Sequence, residues 1–225
     1  MSATNDELKR TAAHWAAAQL KDGMVVGLGS GSTASLAVTE IGCLLKTGLS
    51  IVGIPTSEAT AEKARRLGIP LSTLGEHPDI DVAIDGADQV ELGTLNLIKG
   101  GGGNLLREKL VAAASKRLVI VIDQGKLVDR LHRPVPVEIA QFGWQSTAKR
   151  LAALGSEPVA RLASQGKMFV TDGGNFILDC AFGSIESAAD LQARLDATVG
   201  VVEHGLFLGL TSQVAIGEPG GVRLL

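Results

Sequence analysis

Residues 24–34 read MVVGLGSGSTA, a short apolar run followed by a glycine-rich turn and then by residues suited to a helix, which we predict over Ala34–Leu45. Two later runs, Val82–Ile84 and Leu118–Ile122, are also continuously apolar and of strand length. Continuous apolar runs are typical of strands covered on both faces, as in a parallel sheet. Their alternation with helices predicts an α/β fold, a Rossmann-like and mostly parallel sheet with helices on both faces and right-handed crossovers.

The pattern changes after Arg133–Ala140, where the predicted elements become those of a smaller α+β domain. The main domain is predicted over 1–131 and 208–225, with Gln213–Leu225 returning to the main sheet, and an inserted ferredoxin-like domain over 132–207. The predicted elements of the insert are a helix over Trp144–Leu154, a strand at Pro158–Ala163, a hairpin over Phe169–Cys180 about Gly-Gly-Asn, a helix near Ala188–Val199 and a strand at Val201–Phe207.

Composition excludes several classes of protein. The chain has 225 residues, a formal net charge of −3 and no Tyr, with acids and bases interleaved. The sequence has no basic stripe and only five Phe and two Trp, so we expect no nucleic-acid partner. No apolar run approaches the ~18 residues that span a bilayer, and MSATNDELKR lacks an apolar signal region. We expect a cytoplasmic protein without a membrane partner.

The GLGSGST turn, residues 27–33, is a candidate anion site because it opens a helix after a strand. Its glycines let the backbone approach a ligand, and Ser30, Ser32 and Thr33 add hydroxyl donors. Ser32 stands where a dinucleotide fingerprint has its third glycine, and no Gly-Lys-Ser/Thr follows. A small phosphate monoester fits better than NAD, although a tight strand-to-helix turn would use the same residues.

The DGADQ segment, residues 85–89, follows its strand at the edge where ligands bind in open α/β sheets. Asp85 and Asp88 could be catalytic carboxylates. They could also be turn formers around Gly86, or ligands of a Mg²⁺ ion, although no dedicated ligand set is visible.

The KGGGGNLLREK segment, residues 99–109, is the most specific feature. Four glycines expose successive N–H groups beside Lys99, and Asn104 can cap the following helix. Glu108, one turn into that helix, is a candidate general base, while the glycine amides could stabilise an oxyanion. The alternative is that the Arg-Glu-Lys triplet forms a solvated helix face.

Two lysines are weaker candidates for phosphate contact. Lys126 follows the LVIVI strand and Lys9 lies on the first helix, and either could equally be a solvated lysine. The four histidines show no metal-ligand spacing and are interpreted as structural or surface residues.

Together these segments resemble ribose-5-phosphate isomerase, type A. The resemblance rests on GLGSGSTA, PTSEATAEKARRLGI, DVAIDGADQV, LIKGGGGNLLREK and VIDQGKLVDRL in this order, with VTDGGNFILD and GVVEHGLF further on. It covers almost the whole chain. It implies interconversion of D-ribose 5-phosphate and D-ribulose 5-phosphate in the non-oxidative pentose phosphate pathway, without metal or organic cofactor, by a homodimer or homotetramer.

The resemblance also implies residue roles. Glu108 would move the proton through an enediolate, Asp85 and Asp88 would bind sugar hydroxyls and assist ring opening, and Lys99 would steady the oxyanion. The implied substrate contacts are Lys9, Ser30, Gly31, Ser32, Thr33, Asp85, Gly86, Ala87, Asp88, Lys99, Gly100, Gly101, Gly102 and Lys126.

Three residues depart from the family pattern: Ser30 replaces a threonine, Gln89 a glutamate and Asn104 an alanine. The first keeps a hydroxyl, whereas the other two could alter the base or the sugar fit. Rival interpretations are an amino-sugar-phosphate isomerase or a sugar-phosphate lactonase, both expected to carry another signature, often with a catalytic histidine. A non-catalytic sugar-phosphate sensor would more plausibly have lost Glu108 or Lys99.

Overall fold

The computed structural model describes residues 4–225. Residues 1–3 and the side chain of Gln165 lie outside the described part. The prediction that the N-terminal stretch lacks a signal peptide falls partly on those residues. The chain forms two compact units. Unit 1 contains residues 4–87, Arg107–Lys126 and Leu210–Leu225, and unit 2 contains Asp88–Leu106 and Leu127–Gly209. The predicted domain division differs mainly in assigning residues 88–106 to the main domain, and it stays a prediction.

The helices and strands follow in chain order. The helices are α1 (Asn5–Ala17), α2 (Ser32–Leu45), α3 (Glu58–Arg66), α4 (Leu105–Ala113), α5 (Trp144–Ala153) and α6 (Ala188–Asp196). The strands are β1 (Val25–Leu28), β2 (Val52–Pro55), β3 (Val82–Asp85), β4 (Gln89–Glu91), β5 (Leu97–Ile98), β6 (Leu118–Asp123), β7 (Leu127–Val128), β8 (Val135–Ile139), β9 (Glu157–Ala160), β10 (Phe176–Ala181), β11 (Val201–His204), β12 (Leu206–Phe207), β13 (Gln213–Glu218) and β14 (Gly221–Leu224).

Two helices of unit 1 begin at side-chain caps whose residue types are typical of helix N-termini. Thr4 and Glu7 form a capping box at α1, in which the Thr4 amide donates to Glu7 Oε2 at 2.7 Å and the Glu7 amide donates to Thr4 Oγ1 at 3.3 Å. Ser57 Oγ accepts from the Thr60 amide at 3.0 Å and so caps α3. Each cap satisfies an amide that the helix itself cannot bond.

Unit 1 is built on a six-stranded sheet in the order β14-β13-β6-β3-β1-β2. All neighbouring pairs are parallel except the β13–β14 hairpin at one edge. Every residue of β3 and β6 is buried, as their continuous apolar sequences predict. The predicted return of the C-terminal segment to this sheet is confirmed.

Helices cover both faces of this sheet, as predicted. Val26 and Leu28 of β1 point to one face and join the core formed with α1 and α2. Gly27, between them, points to the other face. A Cβ added there would lie 2.6 Å from Cγ1 of Val111, so α4 covers that face closely.

Unit 2 contains the predicted ferredoxin-like arrangement. Its elements run β8–α5–β9–β10–α6–β11, and the antiparallel sheet has the order β11-β8-β10-β9. Its core is formed largely by buried aliphatic side chains of this sheet and of α5 and α6. A second four-stranded sheet, β12-β5-β4-β7, was not predicted.

Two predictions for the insert are wrong. The first concerns the hairpin over Phe169–Cys180. Its turn exists, since the Thr171 amide donates to the Asn175 carbonyl at 2.9 Å, but only its second arm is a strand. The first arm finds no place because β8 and β9 already pair with both edges of β10. The predicted strand over Val201–Phe207 is divided at Gly205 into β11 and β12, which belong to different sheets.

Among the described residues, no helix combines the length and the apolar character needed to cross a membrane.

Candidate active site

The glycine turn of unit 1 joins β1 to α2. Gly31 is the N-cap residue of α2 with φ of 91°, and it contributes no side-chain cap to the 14-residue helix. Gly31 and Ser32 are exposed, whereas Thr33 is buried. An open helix N-terminus favours an anion because its amides point outward and the helix dipole is positive there. The turn therefore has an exposed helix N-terminus, and its use as an anion site stays a prediction.

Ser30 serves the turn itself. Its hydroxyl is buried and lies 2.6 Å from Thr56 Oγ1, 3.0 Å from Ser57 Oγ and 3.2 Å from Thr60 Oγ1. Its amide donates to Asp85 Oδ1 at 3.1 Å. The hydroxyl that the sequence offers to a ligand is thus already bonded within the protein, and a contact between Ser30 and substrate stays a prediction.

Asp85 ends β3 inside unit 1 and is 3% exposed. Besides the Ser30 amide, its Oδ1 accepts the Gly86 amide at 2.7 Å. A Cβ on Gly29 would lie 2.3 Å from the same oxygen, so the turn can approach this carboxylate only with glycine at that position. Asp85 therefore joins the end of β3 to the glycine turn. Gly86 and Ala87, which continue the chain, are half-buried.

The second acid of the motif, Asp88, belongs to unit 2. Its Oδ2 accepts the Gly101 amide at 2.8 Å, and a Cβ on Gly101 would lie 2.7 Å from its Oδ1. Its own amide donates to the Ile98 carbonyl at 2.8 Å. The structure thus brings the DGAD motif and the glycine run together at Asp88.

Gly100–Gly103, here called the amide cradle, form a tight loop in unit 2. Gly100 and Gly103 have φ of 96° and 84°, which glycine adopts without strain, and the Gly103 amide donates to the Gly100 carbonyl at 3.0 Å. Gly101 and Gly102 are exposed. A Cβ on Gly103 would lie 2.5 Å from two ring atoms of Phe169.

Lys99, at the start of the cradle, is 2% exposed. Its Nζ lies 5.4 Å from the centroid of the Phe207 ring, within the range of a cation–π interaction. Its amide donates to the Gly205 carbonyl at 2.8 Å, and a Cβ on Gly205 would lie 2.2 Å from the Lys99 carbonyl oxygen. Gly205 therefore fixes the backbone of Lys99, and Phe207 of strand β12 contacts its ammonium group.

Glu108 is buried on α4 at 4% exposure, between the half-buried Arg107 and Lys109. Arg107 Nη1 lies 2.8 Å from Glu58 Oε1 and lowers the pKa of that exposed carboxyl by hydrogen bonding. The triplet is therefore not a solvated helix face, because its central carboxylate is shielded from water.

The remaining predicted contacts lie in unit 1. Lys126 is half-buried in a 3-10 turn, Gln124–Lys126, after β6, and Lys9 is half-buried on α1. Asp123, which ends β6, is buried, and its Oδ1 accepts the Gly125 amide at 3.0 Å, an interaction that orders this turn.

Gln89 is a structural residue in unit 2. It is 3% exposed, and its Oε1 accepts the amides of His132 and Arg133, each at 2.9 Å. Asn104 is half-buried, and its Nδ2 donates weakly to the Gly102 carbonyl at 3.4 Å. The Gln89 departure thus lies in a buried polar contact, whereas the Asn104 departure touches the cradle.

Sequence reasoning did not single out Arg161, Asp179, Phe169 or Phe207 as site residues. These residues contact the cradle or Lys99, directly or through one another, within unit 2. Their only sequence signals are an arginine inside a predicted strand, an acid inside a predicted hairpin, and isolated aromatics.

Comparison with known proteins agrees with the motifs. Residues 52–221 match the family ribose 5-phosphate isomerase A, or phosphoriboisomerase A. The chain is similar to ribose-5-phosphate isomerase A of Gloeobacter violaceus, with 54% identity over 222 residues that cover 98% of this chain and 96% of that protein.

Solved structures agree as well. The structure of ribose 5-phosphate isomerase A from Methanocaldococcus jannaschii has a TM-score of 0.94 and 40% identity, and 99% of each chain is covered. A D-ribose-5-phosphate isomerase in complex with phospho-erythronic acid has a TM-score of 0.95 and 36% identity, again with 99% of each chain covered. The fold and these likenesses define the class of protein, an α/β isomerase. Within that class, the chain belongs to the ribose 5-phosphate isomerase A family.

Proposed function

We propose that this chain interconverts D-ribose 5-phosphate and D-ribulose 5-phosphate and that Glu108 moves the proton. The observation that carries the assignment is the burial of Glu108, at 4% exposure, in a helix that directly follows the glycine run. Exclusion of water strengthens the electrostatic interactions between such a base and the groups around it.

The reaction needs one base that reaches two carbons. Glu108 removes the proton from C2 of the open-chain aldose. The C–H electron pair forms the C1–C2 double bond, and the carbonyl electrons become a negative charge on O1. Glu108 then returns the proton to C1 while a hydroxyl proton moves from O2 to O1. A positioned base typically accelerates such a transfer about 10²–10⁴-fold.

Lys99 and the amides of the cradle stabilise the charge on the enediolate oxygen. Donors held in place by the fold do not need to reorganise when the charge develops. The contacts of Lys99 with Gly205 and Phe207 support this role, because they hold an ammonium group that is almost fully removed from water.

Asp85 and Asp88 bind sugar hydroxyls and assist ring opening. Each also accepts at least one backbone amide, which orients the carboxylate before substrate arrives. The substrate phosphate binds at the N-terminus of α2, at Gly31–Thr33, with Lys126 and Lys9 supplying positive charge. Binding energy from the phosphate can then orient the reacting end of the sugar.

Glu108→Gln tests the assignment of the base, because the amide keeps the size of the side chain and removes its basicity. We expect turnover to fall at least ~10²-fold with little change in KM. The control is Glu62→Gln on α3, whose exposed carboxylate lies 3.5 Å from Arg66 in an ordinary surface pair. Proton exchange at C2 of ribose 5-phosphate in D₂O, followed by NMR, measures the step directly. Near-normal exchange in the Glu108 variant would refute its role.

The alternative of a Mg²⁺ site at Asp85 and Asp88 is tested by chelation. We expect activity to survive exhaustive dialysis against EDTA, as the family resemblance implies. Loss of activity that added Mg²⁺ restores would favour the metal site instead.

Inhibitor binding is a further part of the proposal. We expect phospho-erythronic acid, the ligand in the similar solved structure, to inhibit this chain competitively.

The oligomeric state is another part. We infer a cytoplasmic homodimer or homotetramer. Light scattering on the eluting protein would measure the mass of the assembly, and a monomer would contradict this inference.

A further inference from the structure

Arg161 and Asp179 form a two-point ion pair in unit 2. Arg161 directly follows β9, and Asp179 lies on the neighbouring strand β10. Nε of Arg161 donates to Asp179 Oδ2 at 3.0 Å, and its Nη2 donates to Asp179 Oδ1. The arginine side chain is only 15% exposed. A two-point contact of this kind fixes the plane of the guanidinium group as well as its position.

The remaining nitrogen of the guanidinium group is directed at the amide cradle. Nη1 of Arg161 donates to the Gly100 carbonyl at 2.8 Å and to the Gly101 carbonyl at 3.2 Å. These two carbonyls precede the amides of Gly101 and Gly102. One side chain therefore holds two consecutive peptide groups of the loop.

Holding the carbonyls also sets the direction of the amides. In a trans peptide group the C=O and N–H bonds point in opposite directions. With the Gly100 carbonyl on Arg161, the Gly101 amide is directed away, and it reaches Asp88 Oδ2 at 2.8 Å. By the same geometry, the Gly102 amide points away from the guanidinium group. The positive charge also polarises both peptide groups, which makes their N–H groups stronger donors.

The backbone around Arg161 is itself anchored. Its amide donates to the Ile177 carbonyl at 2.9 Å, and its carbonyl accepts the Phe169 amide at 2.9 Å. Phe169 lies with its ring against Gly103. The segments beside β9 and β10 thus support the cradle at two points. Arg161 contacts Gly100 and Gly101, and Phe169 contacts Gly103.

We propose that Arg161, oriented by Asp179, is a positioning residue that holds the Gly101 amide on Asp88 and aims the Gly102 amide for stabilisation of the reacting oxygen. This inference rests on the proposed function of the cradle. A purely structural ion pair would affect stability alone, whereas a positioning residue affects turnover in the folded enzyme.

The test is Arg161→Ala, assayed with ribose 5-phosphate. Removing one oxyanion donor costs roughly 10²–10³-fold in turnover, and here the Gly102 amide is misdirected rather than removed, so we expect kcat to fall about 10–100-fold. KM is expected to change less than about threefold, because phosphate binding is unaffected. Affinity for phospho-erythronic acid, whose carboxylate carries charge at the end remote from the phosphate, should fall with kcat. Added guanidinium ion should restore part of the activity.

Matched variants separate positioning from folding. Arg161→Lys keeps the charge but cannot contact the carboxylate and both carbonyls through one planar group, so its kcat should lie between those of wild type and Arg161→Ala. Arg223→Ala removes an arginine paired with Glu218 at 2.7 Å, remote in sequence from the cradle, and should leave kcat unchanged. If Arg161→Ala does not fold, as judged by circular dichroism, the kcat values of Arg161→Lys and Asp179→Asn take its place in the test of the positioning role.

The outcomes are distinct. A folded Arg161 variant with kcat within about threefold of wild type overturns the positioning role. So does a fall in kcat that tracks only the loss of folded protein and is insensitive to guanidinium. If wild type itself does not isomerise ribose 5-phosphate, or Glu108→Gln leaves turnover intact, it is the proposed function that has failed.

Discussion

Replacing Gly103 by alanine should destabilise the protein through two separable effects. Gly103 has φ of 84°, a conformation that costs an alanine about 1–2 kcal/mol. The smaller conformational freedom of alanine in the unfolded chain returns about 0.4–1 kcal/mol. The added Cβ would lie 2.5 Å from two atoms of the Phe169 ring, an overpacked contact that costs about 1–3 kcal/mol. Together these effects predict a loss of about 1–5 kcal/mol.

Gly174→Ala is the matched control, because Gly174 has φ of 78° and no atom within 4 Å of an added Cβ. It should cost only the conformational part, about 1 kcal/mol or less. Urea unfolding monitored by circular dichroism measures both variants, and the difference between them isolates the contact with Phe169. Adding Phe169→Ala to the Gly103 variant should recover that difference as a coupling energy of about 1–3 kcal/mol.

The Gly103 variant should also lose turnover, since the ring and the loop cannot both keep their positions. A misplacement near 1 Å can cost ~10²-fold, so we expect at least about a 10-fold loss, with Gly174→Ala unchanged. A Gly103 variant as stable and as active as the Gly174 variant would refute the contact between the cradle and Phe169.

Two further predictions concern titratable groups. A hydrogen bond from Lys116 and, secondly, one from the Val25 amide lower the pKa of Asp81 below its ordinary 3.8. The stability that these bonds give the folded protein is therefore complete above pH 3.8. It is lost as the pH falls through the lowered pKa. The Asp81→Asn variant should therefore lose at most about 1 kcal/mol of unfolding free energy at pH 7. Its unfolding free energy should also fall less steeply with acid than that of wild type, and an equal fall would contradict the pairing. Burial raises the pKa of Cys180 to about 12, whereas Cys43 is exposed. A thiol reagent should label one cysteine in the native protein and two in urea, and rapid native labelling of Cys180 would contradict its burial.

The parts of the fold that the sequence predicts are those with local causes. The run at Leu118–Ile122 is apolar at every position because both faces of β6 are covered, and all its residues are buried. The capping box at Thr4 needs only two residues three positions apart. Such features can be read without knowing which distant segment packs against them.

The parts that the sequence could not predict depend on distant partners. Strand β5 has two residues and pairs with β4 and β12, so no periodicity can appear. Arg161 contacts glycines about 60 positions earlier in the chain. No local signal assigns an isolated arginine to that loop rather than to solvent.

Ser30 illustrates the same limit. Its residue type and position suggest a hydroxyl donor for a ligand. The hydroxyl nevertheless lies among Thr56, Ser57 and Thr60, which belong to the next strand end and helix. Tertiary packing decides which hydroxyl faces the ligand and which supports the turn. The residues of the motif alone do not reveal that packing.

The two acids of the DGAD motif explain why the flanking loops are so rich in glycine. Asp85 accepts the Ser30 amide and leaves no room for a Cβ at Gly29, while Asp88 accepts the Gly101 amide and leaves none at that residue. Each carboxylate therefore determines the backbone of one glycine loop. An alanine at either acid would remove the anchor of a loop together with any chemical role, so its effect on turnover could not identify that role. Asparagine keeps an acceptor oxygen for the amide while removing the charge, and only that replacement separates the two contributions.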